Sequence, residues 1–297
     1  MPLEFFSIHE LSEVHSDMHQ IVSKKELAPK IKLLEIEAPE IAEKAKAGQF
    51  VILRIDENGE RFPLTIVDWD KKKGTITLIF LEIGVSTEKL GALKVEDVIF
   101  DVLGPLGNPS DIKKYGSVCV IGGGVGTASA FPIARAFKEA GNKVVSIVGA
   151  KTAGLLILED EMKKASDELF ISTDDGSKAH KGFVSDVLKT LIEKGYGFDV
   201  VYAIGPTVMM RAVAETTRPY GIKTIVSLNP IMVDGMGMCG ACRVSVGDKT
   251  RFACVDGPEF DAHLVNFGEL LKRQMVYMSE EKAALQRLQE KKCTHYE

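Results

Sequence analysis

The spacing of apolar residues changes once along this chain, near Tyr115, and that change limits the fold more than any other feature. Ahead of it, short stretches rich in β-branched residues (QIVSKKEL, IKLLEIEAP, QFVILRID, FPLTIVDWD, GTITLIFLEI, DVIFDVLGP) are separated by Asn-Gly, Lys-Gly and Pro-containing turns. Strands punctuated in this way predict a small antiparallel barrel or sandwich. Beyond Tyr115 the apolar run SVCVIGG leads into GVGTASAFPIARAFKEAG, which has a helical period and a glycine stop. KVVSIVGA, ELFISTDDG, FVSDVLKTLIEKG and DVVYAIGP continue the alternation of strand and helix, the pattern of a parallel sheet with helices on its faces. After IKTIVSLNP come a loop rich in Gly and Cys, a hairpin RVSV-GDK-TRFACV, a helical stretch over 266–290 and a frayed tail, KKCTHYE. The expected boundaries are an N-terminal extension over 1–18, a barrel over 19–110, an α/β domain over 111–228, a cysteine module over 229–268 and a helical tail over 269–297.

Composition narrows the function. A chain of 297 residues exceeds one ordinary domain. A net charge of −5 with both signs interspersed leaves no basic face for nucleic acid. No apolar run reaches the ~18 residues of a membrane helix, and the N-terminus carries acids and histidines where a signal peptide needs a basic start and an apolar core. A cytoplasmic protein with no membrane partner is expected.

Three of the five cysteines, Cys239, Cys242 and Cys254, fall in a C-x2-C-x11-C pattern. A thiolate metal site normally takes four ligands. Zinc ribbons also pair such a knuckle with a hairpin, so zinc stays open beside iron–sulfur. Gly235, Gly237, Gly240 and Ala241 tip the balance, since small residues let backbone N–H groups reach sulfur and offset the negative charge of a cluster. Cys119, inside an apolar run, reads as a buried small hydrophobe, and Cys293 as a free thiol in the tail. Asp234, Asp248, Asp256 and His263 are the nearby candidates for a fourth ligand. Asp248 falls in the hairpin turn, whereas Asp234 lies on the Gly-rich loop and can fold back over it.

Asp234-x4-Cys239-x2-Cys242-x11-Cys254 resembles the [2Fe–2S] segment of dihydroorotate dehydrogenase electron-transfer subunits, where a cysteine occupies the place of Asp234. An aspartate there is similar to the small subunit of NADH-dependent reduced ferredoxin:NADP oxidoreductases and to the beta subunit of sulfide dehydrogenases. The resemblance implies Asp234 as fourth ligand and covers roughly residues 20–267, in the order of a ferredoxin-reductase-like flavoprotein: FAD-binding barrel, nucleotide-binding α/β domain, cluster module. RFPLTI resembles the flavin strand of that family, which implies that Arg61 pairs with the FAD pyrophosphate and that Thr65 lies near the flavin N5 edge. Pro63 and Leu64 would shape the pocket, with Leu64 standing where an aromatic is usual. In EIGVSTEKL, Gly84 provides a tight turn and Ser86 or Thr87 is expected to cap a short helix beginning near Glu88, whose N-terminus suits a pyrophosphate.

Between strand and helix, Gly122, Gly123, Gly124 and Gly126 allow a backbone to approach a diphosphate. They match the G-G-x-G-x-[TA] turn of the family, with Thr127 in the last place. STDDGS resembles the segment bordering bound nicotinamide nucleotide, which implies roles for Asp174, Asp175, Gly176 and Ser177. AIGPTVMM resembles its C-G-P-x-x-M element, with Gly205, Pro206 and Met209 in place and Ile204 where many relatives have Cys. Lys151 without an Arg cluster leans the cofactor to NAD(H). His180 reads as a surface residue.

Hydride transfer to flavin needs no acid–base triad, and none is expected. The expected function is transfer of electrons between NAD(H), FAD and a [2Fe–2S] cluster. By resemblance, a larger subunit carrying FAD and [4Fe–4S] clusters would be the partner, in a complex coupling NADH, NADPH and ferredoxin, with electron bifurcation or sulfide and polysulfide chemistry implied. An electron-transfer subunit for dihydroorotate oxidation and a zinc-stabilised regulatory nucleotide-binding module are the alternatives.

Overall fold

The computed structural model describes residues 19–294, with side chains to residue 290; the N-terminal extension and the Cys293 side chain lie outside the described residues. The first half forms an antiparallel sheet of β1 (His19–Ala28), β2 (Ile31–Glu37), β3 (Phe50–Arg54), β4 (Phe62–Asp70), β5 (Thr75–Leu81), β6 (Val98–Ile99) and β7 (Asp101–Leu106). Its order, β6-β1-β2-β5-β4-β3-β7, ends on two strands separated in sequence only by Phe100, so the sheet curls nearly closed. Ile21, Leu34, Ile36, Ile66, Ile76, Leu78 and Leu90 fill the interior with almost no exposure. Two helices belong to this half, α1 (Pro39–Lys44), unforeseen from the sequence, and α2 (Val85–Ala92).

The second half is a sheet with five parallel strands at its centre. β8 (Ser117–Gly123), β9 (Lys143–Ala150), β10 (Glu168–Thr173), β12 (Val200–Ile204) and β13 (Lys223–Ser227) run in the order β10-β9-β8-β12-β13, with the two-residue β11 (His180–Lys181) outside β10. The order reverses between β8 and β12, and crevices at such switch points hold ligands in open α/β sheets. Covering helices are α3 (Gly126–Glu139), α4 (Glu159–Lys164), α5 (Val184–Glu193) and α6 (Thr207–Thr217). The strands have near-continuous apolar runs because both faces are covered; Val118, Cys119, Val120 and Ile121 are fully buried.

The cysteine segment docks onto both halves. β14 (Arg243–Val246) and β15 (Lys249–Phe252) form the expected hairpin, with Gly247 and Asp248 at its turn. β16 (Glu259–Asp261) then adds antiparallel to β13 as the edge of the parallel sheet, a pairing that no local pattern signals. The stretch expected as one helix is two, α7 (Phe267–Gln274) and α8 (Met278–Thr294), broken at residues 275–277. One core cluster runs through Phe50 and Ile52 of the barrel, Ile121 and Val201 of the parallel sheet, and Cys242 and Cys254.

Candidate functional site

Glycines bring the turns after β8 and β12 together. A Cβ on Gly126 would stand 2.5 Å from the Ile204 carbonyl oxygen and 2.7 Å from Gly205 Cα; one on Gly123 would meet Met209 Sδ at 2.2 Å. The turn after β8 therefore lies directly against Gly205, Pro206 and Met209, which follow β12, at the point where the strand order reverses. Gly124 adopts φ +57° with open space where a Cβ would be, the conformation glycine takes at no steric cost. Thr127 is buried in the first turn of α3. Asp174, Asp175 and Gly176 form the turn after β10. The Ser177 hydroxyl and backbone N–H hold the Asp175 carboxyl below its usual range.

On the barrel, Arg61 donates to Asp101 Oδ2 at 3.1 Å, and Arg54, stacked over Phe100, approaches the same oxygen at 3.6 Å. Two guanidinium groups face one carboxylate, and Arg54 Nε is buried without a hydrogen-bond partner. The uncompensated positive charge suits an anion such as a pyrophosphate. The start of α2 is tied to the residue before Arg61, because the Ser86 hydroxyl donates to Glu60 at 2.6 Å. That corrects the expected cap. The helix begins at Val85 with Gly84 before it, and Thr87, in its first turn, accepts from the Ile83 and Gly84 N–H groups at 3.0 and 3.1 Å. Thr65 and Leu64 are half-buried on β4, opposite Phe50 and Val51, with Pro63 opposite Ile52.

In the cysteine loop the Asp234 side chain turns toward the residues that follow it. Its carboxylate accepts from the Cys239 N–H at 2.6 Å and from the Met236 N–H at 3.0 Å. Burial pushes this carboxyl up, but these backbone donors and the Cys239 thiol outweigh it and hold the group below its usual range. Cys242 and Cys254 lie with their sulfurs 3.2 Å apart, and burial together with Cys242 pushes the Cys254 thiol up to about 12. Coordination of a metal would reverse that preference, since a ligating thiol loses its proton. Backbone N–H groups of Ala241 and Cys254 point at Cys239 and Cys242 sulfurs at 3.5 and 3.4 Å. The donors thus stand two and two, Asp234 with Cys239 and Cys242 with Cys254. Among the described residues no three His, Cys, Asp or Glu side chains share one centre.

The other candidates point elsewhere. Asp256 accepts from the Phe252 N–H at 2.7 Å, the His263 ring bonds the Thr217 hydroxyl at 3.0 Å, and Asp248 is exposed at the hairpin turn. Cys119 is fully buried with its thiol pushed up by burial, and His180 is exposed. Sequence reasoning passed over Arg54 and Asp101, which come together with Arg61 only when strands pair, and Ser129, whose hydroxyl bonds Thr65 Oγ1 at 2.9 Å.

Residues 229–266 match the iron–sulfur cluster binding domain of dihydroorotate dehydrogenase B. A dihydroorotate dehydrogenase B (NAD(+)) electron transfer subunit homolog of Thermotoga maritima is 46% identical over 270 residues, covering 91% of this chain and 95% of that protein. The dihydroorotate dehydrogenase B (NAD(+)) electron transfer subunit of Streptococcus pneumoniae serotype 4 is 34% identical, covering 81% and 97%. This chain belongs to that family of electron-transfer subunits. A chain in a solved structure of NADH-dependent reduced ferredoxin-NADP oxidoreductase, described with flavin-based electron bifurcation, superposes with a TM-score of 0.87 at 45% identity, over 92% of this chain and 98% of that one. Similarity to the cytochrome b5 reductase domain of Ulva prolifera nitrate reductase, 18% identical with a TM-score of 0.54, shows the ferredoxin-reductase-like fold alone. As a member of the family the chain is an electron-transfer subunit of oxidoreductase type. Its fold and cluster-binding segment support FAD, NAD(H) and an iron–sulfur cluster as cofactors. No helix among the described residues is long and apolar enough to cross a membrane.

Proposed function

We propose that this chain takes hydride from NADH onto FAD and delivers single electrons to a [2Fe–2S] cluster held by Asp234, Cys239, Cys242 and Cys254. The observation that carries this reading is the position of β4. On one side Thr65 is bonded to α3, the helix that follows the glycine turn. On the other, β4 pairs with β3, and the cysteine loop presses on β3 so closely that a Cβ on Gly235 would stand 2.8 Å from Ile52 Cγ1. Ile52 is itself opposite Pro63. In this reading the flavin strand touches the nicotinamide-side helix directly and the cysteine loop through β3, which supports a relay with FAD as its middle member.

Bound FAD supplies the conversion of a two-electron hydride into single electrons. Arg61 and Arg54, with the start of α2 at Gly84 and Ser86, hold the pyrophosphate, while Pro63, Leu64 and Thr65 line the flavin. Gly123, Gly124, Gly126 and Thr127, with Gly205, Pro206 and Met209, receive the nicotinamide nucleotide, and Asp174, Asp175 and Gly176 border it. Asp234, Cys239, Cys242 and Cys254, standing two and two, would hold a two-iron cluster, and the N–H groups aimed at sulfur would offset its charge. The likeness to a chain of NADH-dependent reduced ferredoxin-NADP oxidoreductase supports a place in a complex that couples NADH, NADPH and ferredoxin. In this reading the partner is a larger cytoplasmic subunit carrying FAD and [4Fe–4S] clusters, as the resemblance of the Asp234 segment implies.

Anaerobic absorption and EPR spectra before and after NADH, then dithionite, test the reading. Flavin bleaching with a reduced [2Fe–2S] signal is expected, and a colourless protein containing zinc overturns it. Asp234→Cys should keep a cluster with an altered EPR signal and potential, and Asp234→Ala should lose or weaken it. Identical spectra in both variants would remove Asp234 from the ligand set.

A further inference from the structure

Helical hydroxyls in this chain commonly close back on their own helix. Thr190 donates to the Asp186 carbonyl at 2.9 Å, Thr216 to Ala212 at 2.8 Å and Thr217 to Val213 at 3.1 Å, the usual local bond for such residues. Ser129 does otherwise. Its hydroxyl leaves α3 and donates to Thr65 Oγ1 on β4 at 2.9 Å, across the boundary between the parallel sheet and the barrel. Both side chains are half-buried. Serine is a poorer helix former than alanine, so this position gives up some helix preference for a contact outside the helix. The helix does not need that contact to stay seated. Ala128 is buried in a cluster with Val67 of β4, and Arg135 bonds Asp68 at 2.8 Å further along the same strand.

We propose that Ser129 is a positioning residue for hydride transfer, orienting the Thr65 hydroxyl toward the flavin and setting the distance between the nicotinamide-side helix and the flavin strand. This rests on the reading of β4 as the flavin strand. A hydroxyl has one proton to give and lone pairs to accept with. In this proposal Ser129 is the donor, so that Thr65 spends an acceptor position on the helix and keeps its own proton for the flavin edge. In the reaction NADH loses a hydride to become NAD⁺, and FAD takes up that hydride, one proton with two electrons, to become FADH⁻. Neither hydroxyl exchanges atoms. Ser129 governs geometry, and displacements of about 1 Å can cost on the order of a hundredfold in rate.

The test compares Ser129→Ala, Ser129→Thr and Thr65→Val holoproteins with the parent by stopped-flow flavin bleaching with NADH, flavin midpoint potential and thermal melting. Ser129→Ala is expected to slow bleaching by about tenfold and to shift the potential, with melting unchanged. Ser129→Thr should restore both, and Thr65→Val should match or exceed the defect. Parental rate and potential in Ser129→Ala beside an impaired Thr65→Val would overturn the role of Ser129 alone. Parental behaviour in both variants sinks the flavin reading of β4 and the proposal with it. A Ser129→Ala defect with an unaffected Thr65→Val, or a lowered melting temperature at unchanged potential, also overturns it, since the effect would not run through Thr65.

Discussion

At the scale of single residues, glycines in the same turn are required for different reasons. Gly126 has no room, with a backbone carbonyl 2.5 Å from where its Cβ would be, and backbone cannot yield as a flexible side chain does. Gly124 has room but a left-handed backbone. Gly126→Ala is therefore expected to destabilise the protein by ~3 kcal/mol, the upper part of the overpacking range, and to part the two turns that would receive the nucleotide. Gly124→Ala should cost about 1–2 kcal/mol from its positive φ alone. Urea unfolding of both variants, with NADH binding followed by fluorescence, checks the contrast. Equal losses in the two would mean that conformation, not contact, decides this turn. The glycine turn and the cysteine spacing were legible because both are local signals. The Arg54–Asp101–Arg61 group was not, because Asp101 lies 40 positions from Arg61 and reaches it only through strand pairing.

At the scale of elements, α3 carries the most. Its inner face buries Phe137, which packs on Tyr202 at 5.0 Å between ring centroids and on Tyr115 at 6.0 Å. Arg135, on another side, pairs with Asp68 and lies over the Trp69 and Phe131 rings at 5.5 and 5.1 Å. Phe137→Ala should cost ~3–5 kcal/mol, as expected for a large aromatic removed from a closed core. Arg135→Ala should cost only about 1 kcal/mol, because a partly exposed ion pair and its cation–π contacts contribute little. Denaturant unfolding separates the two, and a larger loss for Arg135→Ala would show that the contact between α3 and β4 outweighs the core. Helix and strand order in this region followed from apolar period. Several short features did not, among them α1 and α4, each only six residues long; the break at residues 275–277; and β16, whose three residues are a strand only because β13 lies beside them.

For the whole molecule the question is what joins the three parts, and Glu259 stands where they meet. It lies on β16, and its carboxylate accepts from the Ser110 hydroxyl at 2.5 Å, in the linker that leaves the barrel. A Cβ on Gly48, at the entry to β3, would come within 2.3 Å of that hydroxyl and 3.0 Å of the carboxylate. Beside it, the Asn108 N–H donates to the Gly257 carbonyl at 2.7 Å and the Ser110 N–H to Ala47 at 2.9 Å. No cation pairs with Glu259 among the described residues, and its own charge acts on Tyr202. Burial, which the Ser110 hydrogen bond offsets only in part, raises its carboxyl from the ordinary glutamate range to about 7, and the Asp111 charge adds to the rise. With the folded value above the unfolded one, the folded state holds the extra proton between them. Its contribution to stability is therefore present below the unfolded pKa and is lost as pH rises to about 7, by on the order of 1–3 kcal/mol after allowance for solvent. Glu259→Gln keeps the shape and the hydrogen bond without the charge. The variant should match the parent near pH 4 and exceed it in stability by that amount above pH 7, in urea unfolding followed across the range. A difference that does not change with pH would mean that the junction tolerates the charge and that Glu259 is held there by shape alone.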